Sequence, residues 1–277
     1  MRKNKKDIIF IFILLSVMGA ISFFPFYLTI MISFKPVSEF FMFPPKPYTL
    51  SPTFENYRDM YEFLQNLWTP FSRYLFNTVF VTITVTVLQC FFCSMAGFIL
   101  AKGNFKLKKF INALVVTALL YQSNVIYLMQ YIVMSKLHII DTYWAIILPY
   151  AAAPVSVFLM KQSVSRMPDS IIESAKVDGA GMFSVCWRIV MPNQKPALAT
   201  LMVFAFQSAW NNQGGNFIRS ESLKTLPYAI QSISASGLAK AGASMAGSVF
   251  ILIPPAVVFM ICQGKIMETM TYSGIKE

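Results

Sequence analysis

The sequence is poor in charge and in histidine. Only 13% of its 277 residues are Asp, Glu, Lys or Arg, 56% are hydrophobic, and one histidine is present. A soluble domain of average composition carries about twice that share of charged residues. The composition therefore excludes an ordinary soluble domain and indicates a membrane protein.

The sequence also lacks the patterns that enzymes and metal sites require. No G-x-x-x-x-G-K-[ST] loop is present to hold the phosphates of a nucleotide. Cys90 and Cys93 lie in an apolar run without a second pair, and Cys186 and Cys262 are isolated, so neither a metal site nor a disulfide framework is predicted. His138 lies beside a predicted helix end, which favours an interfacial role over catalysis. We expect no catalytic residue, no metal and no cofactor in this chain.

Long runs without charge dominate what is present. A helix needs about 20 apolar residues to cross a bilayer core of about 30 Å. Six runs reach about that length, so we expect an all-α integral membrane protein with six transmembrane helices. Their predicted bounds are residues 8–34, 74–101, 110–135, 142–160, 197–218 and 241–264. Because no Asp, Glu, Lys or Arg lies within any of them, a proton-coupled or ion-coupled carrier is disfavoured.

The first run follows several basic residues, as the core of a cleaved secretory signal also does. A signal core spans about 7–15 residues and ends at a small-residue cleavage site. The run at residues 8–34 is much longer and ends in Phe34-Lys35-Pro36. An uncleaved membrane anchor is the favoured interpretation.

The distribution of Lys and Arg predicts the orientation. With a cytoplasmic amino terminus, the cytoplasmic segments carry fifteen Lys and Arg residues and the external segments carry eight. Both termini are therefore predicted to be cytoplasmic, and the net charge of +11 needs no nucleic-acid partner. The predicted cytoplasmic segments are residues 1–7, the short loop 102–109, the loop 161–196 and residues 265–277. The predicted external loops include residues 35–72, which are rich in proline, and residues 219–240.

The loop 161–196 carries local signals for a short helix. The spacing Ser170-x-x-Glu173 is that of a capping box and predicts a helix that begins near Asp169. Gly179 and Gly181 provide positions where this helix can end. A helix of about two to three turns is unstable alone in water and needs a surface on which to dock.

Apolar residues predict the docking face of this helix. Ile171, Ile172 and Ala175 would form its apolar stripe, because residues four apart share one face. Two partners for the helix are compatible with this pattern, a protein surface and the lipid surface.

The spacing of this loop resembles that of a known family. The membrane subunits of binding-protein-dependent ABC importers carry the loop pattern E-A-A-x3-G-x9-I-x-L-P. Every spacing is kept in this chain, with Ser174 and Met191 as the two departures. The residues at the positions that the pattern assigns to coupling are Glu173, Ser174, Ala175, Gly179, Ile189 and Pro192.

The likeness extends beyond the loop and covers nearly the whole chain. It is similar to the carbohydrate branch of the family, specifically to the smaller, second membrane subunit of maltose-type sugar importers. The segments that carry this likeness are Ile30–Lys35, Phe54–Tyr57, Asp141–Ala145, Ile147–Tyr150, Val177–Ala180, Lys195–Leu198, Trp210-Asn211 and Thr225–Pro227. The resemblance implies an ABC importer type I transmembrane core at residues 73–264.

The resemblance implies a function and a set of partners. The chain would be a permease for sugars or oligosaccharides in the bacterial plasma (inner) membrane. It would pair with a second permease, two cytoplasmic ATPase subunits that bind ATP and Mg²⁺, and an extracytoplasmic solute-binding protein. Glu173, Ser174, Ala175 and Gly179 would couple the chain to an ATPase, with Ile189 and Pro192 in support. Two alternatives remain: an ABC importer permease for a polyamine, an amino acid or a phosphonate, and an ATPase-independent carrier or channel.

A candidate substrate path lies late in the fifth predicted span. Amides beside an aromatic ring suit the hydroxyl groups and the apolar face of a sugar, and Gln207, Trp210, Asn211 and Asn212 provide both. Hydrogen bonding between helices is the alternative role for such amides. The segment after Trp210 is more polar and richer in glycine than the family pattern. In maltose-type relatives most of the sugar cavity belongs to the other permease, and the loop that corresponds to residues 219–240 reaches towards the docked binding protein.

Overall fold

A computed structural model describes residues 5–44, 46–121, 123–237 and 240–273. Within these ranges the regular structure is helical and no strand is present. The α-helices are α1 (Lys5–Ser33), α2 (Val37–Phe40), α3 (Glu55–Gln65), α4 (Phe71–Lys102), α5 (Lys108–Ala118), α6 (Ser123–Lys136), α7 (Tyr143–Ala151), α8 (Pro154–Ser165), α9 (Asp169–Val177), α10 (Met182–Ser184), α11 (Met191–Asn193), α12 (Lys195–Trp210), α13 (Leu226–Ser234) and α14 (Ala241–Ser273). A π-helix (Val185–Val190) and two 3₁₀ turns (Gly215–Phe217 and Glu221–Leu223) complete the set.

Four helical segments of the described chain are long and apolar enough to cross a membrane. They are Ile9–Ser33, Phe71–Lys102, Tyr143–Ser165 and Ala241–Ile266. The first exposes apolar side chains along most of its length, which suits a helix surrounded by lipid. The charge-free run 110–135 contains two helices, α5 and α6, and the run 197–218 is helical only as far as Trp210.

The described residues divide into two compact units. One consists of the described residues within Met1–Pro70 and Ala229–Leu252, and the other of those within Phe71–Tyr228 and Ile253–Glu277. In the first unit Asn56 is buried, and its Nδ2 donates to the carbonyl oxygens of Ser33 and Lys35 at 2.8 Å each. These bonds satisfy carbonyl groups where α1 ends.

Helix α4 is the centre of the second unit and packs against α7, α8 and α12. Gly97 permits its close approach to α8, because a Cβ at this position would lie 2.6 Å from Met160 Cβ and 2.9 Å from the Lys161 backbone nitrogen. A small residue at a helix crossing lets two backbones approach in a membrane. This packing positions the two parts of the candidate site, which are helix α9 and a cavity lined in part by α7 and α8.

Candidate functional site

The start of α9 is tied to the end of α4. Lys102, the last residue of α4, donates from Nζ to the Met167 carbonyl oxygen at 2.6 Å and forms an ion pair with Asp169 Oδ1 at 2.6 Å. The Lys102 side chain is 10% exposed and that of Asp169 is 71% exposed. The charge-assisted bond to the carbonyl therefore fixes the backbone immediately before α9.

The predicted capping box is wrong. Helix α9 begins at Asp169, one residue before Ser170, and Pro168 occupies the N-cap position without a side-chain cap. Because Ser170 is already inside the first turn, its hydroxyl cannot serve as the N-cap. The anchor that replaces the cap comes from Lys102, far away in sequence.

One face of α9 is buried in the core of the second unit. Ile172 is 4% exposed and Ala175 is 6% exposed, and both belong to a cluster with residues of α4, α8, α12 and the π-helix. Ile171 is 38% exposed, so its predicted place in the apolar stripe is wrong. The buried stripe runs through residues three apart because that spacing also returns to the same face of a helix.

The opposite face of α9 is exposed and carries polar groups. Glu173, Ser174 and Val177 are all exposed, Val177 to 87%. The Ser174 hydroxyl donates to the Ile171 carbonyl oxygen at 3.1 Å within the helix. Across the described ranges, Glu173 forms no ion pair within 4.0 Å.

Gly179 ends α9 with a defined turn. The Ala180 N–H donates to the Ala175 carbonyl oxygen and the Gly179 N–H donates to that of Lys176, both at 3.0 Å. These two bonds form a Schellman motif, which requires a left-handed residue at the position of Gly179. The φ angle of Gly179 is +80°, and a Cβ there would meet no atom within 4 Å. The glycine is needed for the backbone conformation and not for space.

The chain returns to α12 through α10, the π-helix and α11. Ile189 is half-buried against the same core cluster as Ile172, whereas Pro192 is exposed. The Asn193 side chain donates from Nδ2 to the Ile189 carbonyl oxygen at 2.7 Å. We call the core cluster beneath α9 its base. Of the six predicted coupling residues, Ala175 and Ile189 lie in this base and Gly179 forms the turn. The other three, Glu173, Ser174 and Pro192, are exposed.

A second feature is a cavity of about 660 Å³ between α5, α6, α7, α8 and the segment after α12. We call it the amide cavity. Aromatic, amide and hydroxyl side chains supply its polar groups. These residues are Tyr121, Tyr127, Gln130, Tyr150, Ser208, Asn211, Asn212 and Gln213. Rings beside hydrogen-bonding groups are the usual lining of a pocket for a small polar ligand.

Interrupted helices form the wall of the amide cavity. Helix α7 ends at Ala151 and α8 begins at Pro154, and the cavity is lined by Pro149, Ala153 and Pro154 around this break. The Ala153 carbonyl oxygen accepts from the N–H groups of Ser156 and Val157 at 3.1 Å each. Irregular backbone at membrane depth is tolerated where it lines such a cavity.

The structure brings two of the four predicted path residues to the amide cavity. Asn211 and Asn212 line it, while Gln207 and Trp210 do not. Trp210 is 4% exposed and its ring is stacked on that of Phe206 at 5.7 Å. Asn212 also shapes the backbone, because its Oδ1 accepts from the Gly214 N–H at 2.8 Å.

Sequence reasoning missed the tyrosines of the amide cavity and the lysine anchor. Tyr127 and Tyr150 lie in apolar runs, where a tyrosine hydroxyl is a polar group that requires a partner. That requirement was the available signal for a pocket. No local signal marked Lys102, because its partner segment is remote in sequence.

A helical domain with four segments that can cross a membrane, a docked loop helix and a polar cavity between interrupted helices is the architecture expected of a membrane subunit of a transporter. The chain belongs to the family of binding-protein-dependent transport system inner membrane components, whose pattern matches residues 93–267. It is thus a multi-pass protein of the bacterial inner membrane and a permease of an ABC importer. Permeases of this family generally act with a partner permease, an ATPase and a binding protein.

Curated relatives and a solved structure agree with this assignment. The arabinooligosaccharides transport system permease protein AraQ of Bacillus subtilis (strain 168) is 31% identical over 220 residues, which cover 79% of this chain and 78% of AraQ. The sn-glycerol-3-phosphate transport system permease protein UgpE of Yersinia pestis bv. Antiqua (strain Antiqua) is 27% identical over 276 residues, or 95% of this chain and 96% of UgpE.

The solved structure shows the fold. It is the crystal structure of a bacterial ABC transporter involved in the import of the acidic polysaccharide alginate. One of its chains matches with a TM-score of 0.74 at 19% sequence identity, over 95% of this chain and 98% of the other. At that identity the match supports the permease fold and not the substrate.

Proposed function

We propose that this chain is one of two permease subunits of an ATP-driven importer of sugars or oligosaccharides. It would form half of the translocation pathway. The observation that carries the proposal is α9, which is buried on one face and exposed on the other. Ile172 and Ala175 hold it against the core, while Glu173 and Ser174 face outward. A helix held in this way transmits a displacement of its exposed face to the helices behind it.

We infer six crossings with both termini in the cytoplasm. Four segments meet the length and hydropathy of a span, and α5 with α6 would supply a fifth. Helix α12 has 16 residues and rises about 24 Å. The irregular segment 211–218 would complete that sixth crossing while lining the amide cavity. The excess of Lys and Arg then assigns the α8–α12 connection to the cytoplasm.

In this arrangement α9 docks on a separate ATPase subunit. Glu173 would pair with a basic group of the ATPase, and Ser174 would lie in the same contact. Gly179 turns the chain so that the segment containing Ile189 and Pro192 returns to α12. ATP and Mg²⁺ would bind to the ATPase, and this chain would have no catalytic residue. Closure of the ATPase pair would move α9 and, through the core cluster, α4 and α8.

The amide cavity and the relatives support a hydroxylated solute. Tyrosine rings suit the apolar face of a sugar, and Asn211 and Asn212 supply hydrogen bonds for hydroxyl groups. By their names, the two relatives transport arabino-oligosaccharides and sn-glycerol-3-phosphate, both of which are rich in oxygen. Trp210 is buried and would support the wall of this path, and Gln207 would lie outside it.

The name of UgpE favours a second candidate solute, a polyol phosphate. It differs from a sugar in its charge, so the two are separable by a transport assay. The complete complex would be reconstituted in liposomes with its partner permease, ATPase subunits and binding protein. We expect ATP-dependent uptake of labelled arabinotriose.

Two controls make this assay decisive. Liposomes that contain this chain without the ATPase should show no uptake, and a labelled polyamine should not be transported by the complex. If glycerol phosphate were taken up and arabinotriose were not, the solute would be a polyol phosphate and not a sugar. Uptake of the polyamine without the sugar, or transport by the chain alone, would refute the proposed function.

A further inference from the structure

A second cavity adjoins the amide cavity and has no assigned role. Its volume is about 590 Å³, and we call it the tyrosine cavity. Besides Tyr127 and Gly215, it is lined by Leu128, Tyr131, Ile218, Arg219, Lys224 and Tyr228. Tyr127 and Gly215 also line the amide cavity. The two cavities therefore share this pair of residues as part of their walls.

The contact between Tyr127 and Gly215 is tight. A Cβ on Gly215 would lie 2.9 Å from Tyr127 Oη and 3.6 Å from the nearest ring carbons. The hydroxyl group thus occupies the space that any side chain at position 215 would need. The backbone there has a φ of +52°, so the segment also adopts a conformation that favours glycine.

The segment with Gly215 is fixed to the junction of α6 and α7. The Asp141 N–H donates to the Phe217 carbonyl oxygen at 2.8 Å. Its Oδ1 accepts from the N–H groups of Arg219 and Ser220 at 2.9 and 2.8 Å, and its Oδ2 accepts from the Ser220 hydroxyl. Asp141 therefore holds both ends of residues 217–220 in place.

Aromatic packing fixes the other side of the contact. The Phe217 ring lies 4.9 Å from the Tyr127 ring and is 8% exposed. The position of the Tyr127 ring is thus set by the same segment that carries Gly215. Neither side of the contact can move without a change in the other.

The tyrosine cavity suits an uncharged, hydroxylated solute. Lys224 forms an ion pair with Glu221 at 2.6 Å and donates to Tyr228 Oη at 2.8 Å. Arg219 donates from Nη2 to Tyr131 Oη at 2.9 Å. Three tyrosine rings line the tyrosine cavity, and cations hold the hydroxyl groups of two of them, Tyr131 and Tyr228. These groups resemble the aromatic and hydrogen-bonding groups of the amide cavity, so both cavities suit the same solute.

We propose that the tyrosine cavity is a second sugar site on the same path and that Tyr127 and Gly215 form the constriction between the two sites. This inference rests on the proposed function, because it takes the solute to be a sugar. The constriction limits the width of the solute that passes from one cavity to the other. Gly215 is the specificity-determining residue, and Asp141 positions the segment that contains it.

The test is uptake of labelled arabinotriose by the reconstituted complex, measured together with ATP hydrolysis stimulated by the loaded binding protein. The variant Gly215→Ala places a methyl group in the constriction. One methyl group changes discrimination in a pocket by about ten-fold. We expect uptake to fall about ten-fold while the stimulated ATP hydrolysis is retained. Adding Tyr127→Phe removes the colliding hydroxyl and should restore most of the uptake.

Gly214→Ala is the matched control for backbone strain. Gly214 has a φ of +75°, and a Cβ added at this position would lie 3.3 Å from Ile218 Cγ1, the nearest atom. We expect Tyr127→Phe to have no restoring effect in that background. An unchanged uptake in Gly215→Ala, or a loss that Tyr127→Phe does not restore, would overturn the constriction. Absence of arabinotriose uptake by the wild-type complex would instead contradict the proposed function, and the constriction with it.

Discussion

Helix α9 and the amide cavity belong to the same compact unit but are built in opposite ways. Helix α9 is continuous, its base is buried, and a lysine anchor and a Schellman turn fix its two ends. The amide cavity is lined by helices that stop and restart, with polar side chains turned into open space. The difference separates a helix that is fixed at both ends from a pocket whose wall is made of interrupted helices.

The largest expected effect comes from detaching α9 from its base. Ile172→Ala removes a side chain that is 4% exposed, and such truncations cost about 2–5 kcal/mol. We expect a clear fall in the thermal midpoint of the purified chain in detergent. Ile171→Ala, at a neighbouring position that is 38% exposed, is the matched control and should change the midpoint little. Equal effects of the two substitutions would contradict the buried base.

The second prediction concerns the crossing of α4 and α8, which supports both α9 and the amide cavity. Gly97→Ala forces a Cβ to within 2.6 Å of Met160 Cβ, and overpacking of this kind costs about 1–3 kcal/mol. The thermal midpoint should fall, and uptake should fall with it. Gly264→Ala lies in α14 with no atom within 4 Å of the added Cβ and should leave the midpoint unchanged or raise it. A stable Gly97→Ala variant would rule out the close crossing of α4 and α8.

A smaller effect is expected at the turn after α9. Gly179→Ala adds a Cβ in open space but keeps a φ of +80°, which costs about 1 kcal/mol for a residue other than glycine. Gly181→Ala is the control, because Gly181 is equally open and has an ordinary φ of −67°. Hydrogen exchange at the Ala180 amide should accelerate only in the Gly179 variant. Protection that survives Gly179→Ala would show that the turn does not depend on glycine.

The smallest effect concerns Asp141 and pH. Hydrogen bonds from the Ser220 hydroxyl and from the Ser220 and Arg219 N–H groups lower the pKa of this carboxyl group, although partial burial raises it. A lowered pKa means that the stabilisation is present above the unfolded pKa, near 4, and is lost as the pH falls through the lower folded value.

The difference in thermal midpoint between the wild type and Asp141→Asn should therefore stay constant from about pH 5 to 8. It should shrink only below about pH 4. A difference that already changes between pH 6 and 8 would point to another titrating group and contradict this account of Asp141.

Local sequence signals predicted the two ends of α9, but they could not predict the contacts that hold the helix in place. The helix begins at Asp169 and ends just before Gly179, as the sequence predicted. The anchor from Lys102 could not be predicted, because it joins residues that are distant in sequence. The error at Ile171 has the same origin, since only the packed neighbours decide which side of a short helix is buried.

The amide cavity was less predictable because its residues come from five segments. Asn211 and Asn212 were found as amides beside an aromatic residue, but Tyr127 comes from α6 and Tyr150 from α7. The interruption between α5 and α6 follows neither a proline nor a glycine. No sequence signal accounts for the end of α5 at Ala118.

We propose that α9 couples this permease to an ATPase through Glu173. The most direct measurement is uptake of arabinotriose per ATP hydrolysed in the reconstituted complex with Glu173→Ala. Glu62→Ala, which removes an exposed carboxylate from α3, is the matched control. With normal expression and assembly of all subunits, we predict a loss of coupled uptake in Glu173→Ala and none in Glu62→Ala. Unchanged ATP-driven uptake in the Glu173→Ala complex would contradict the account.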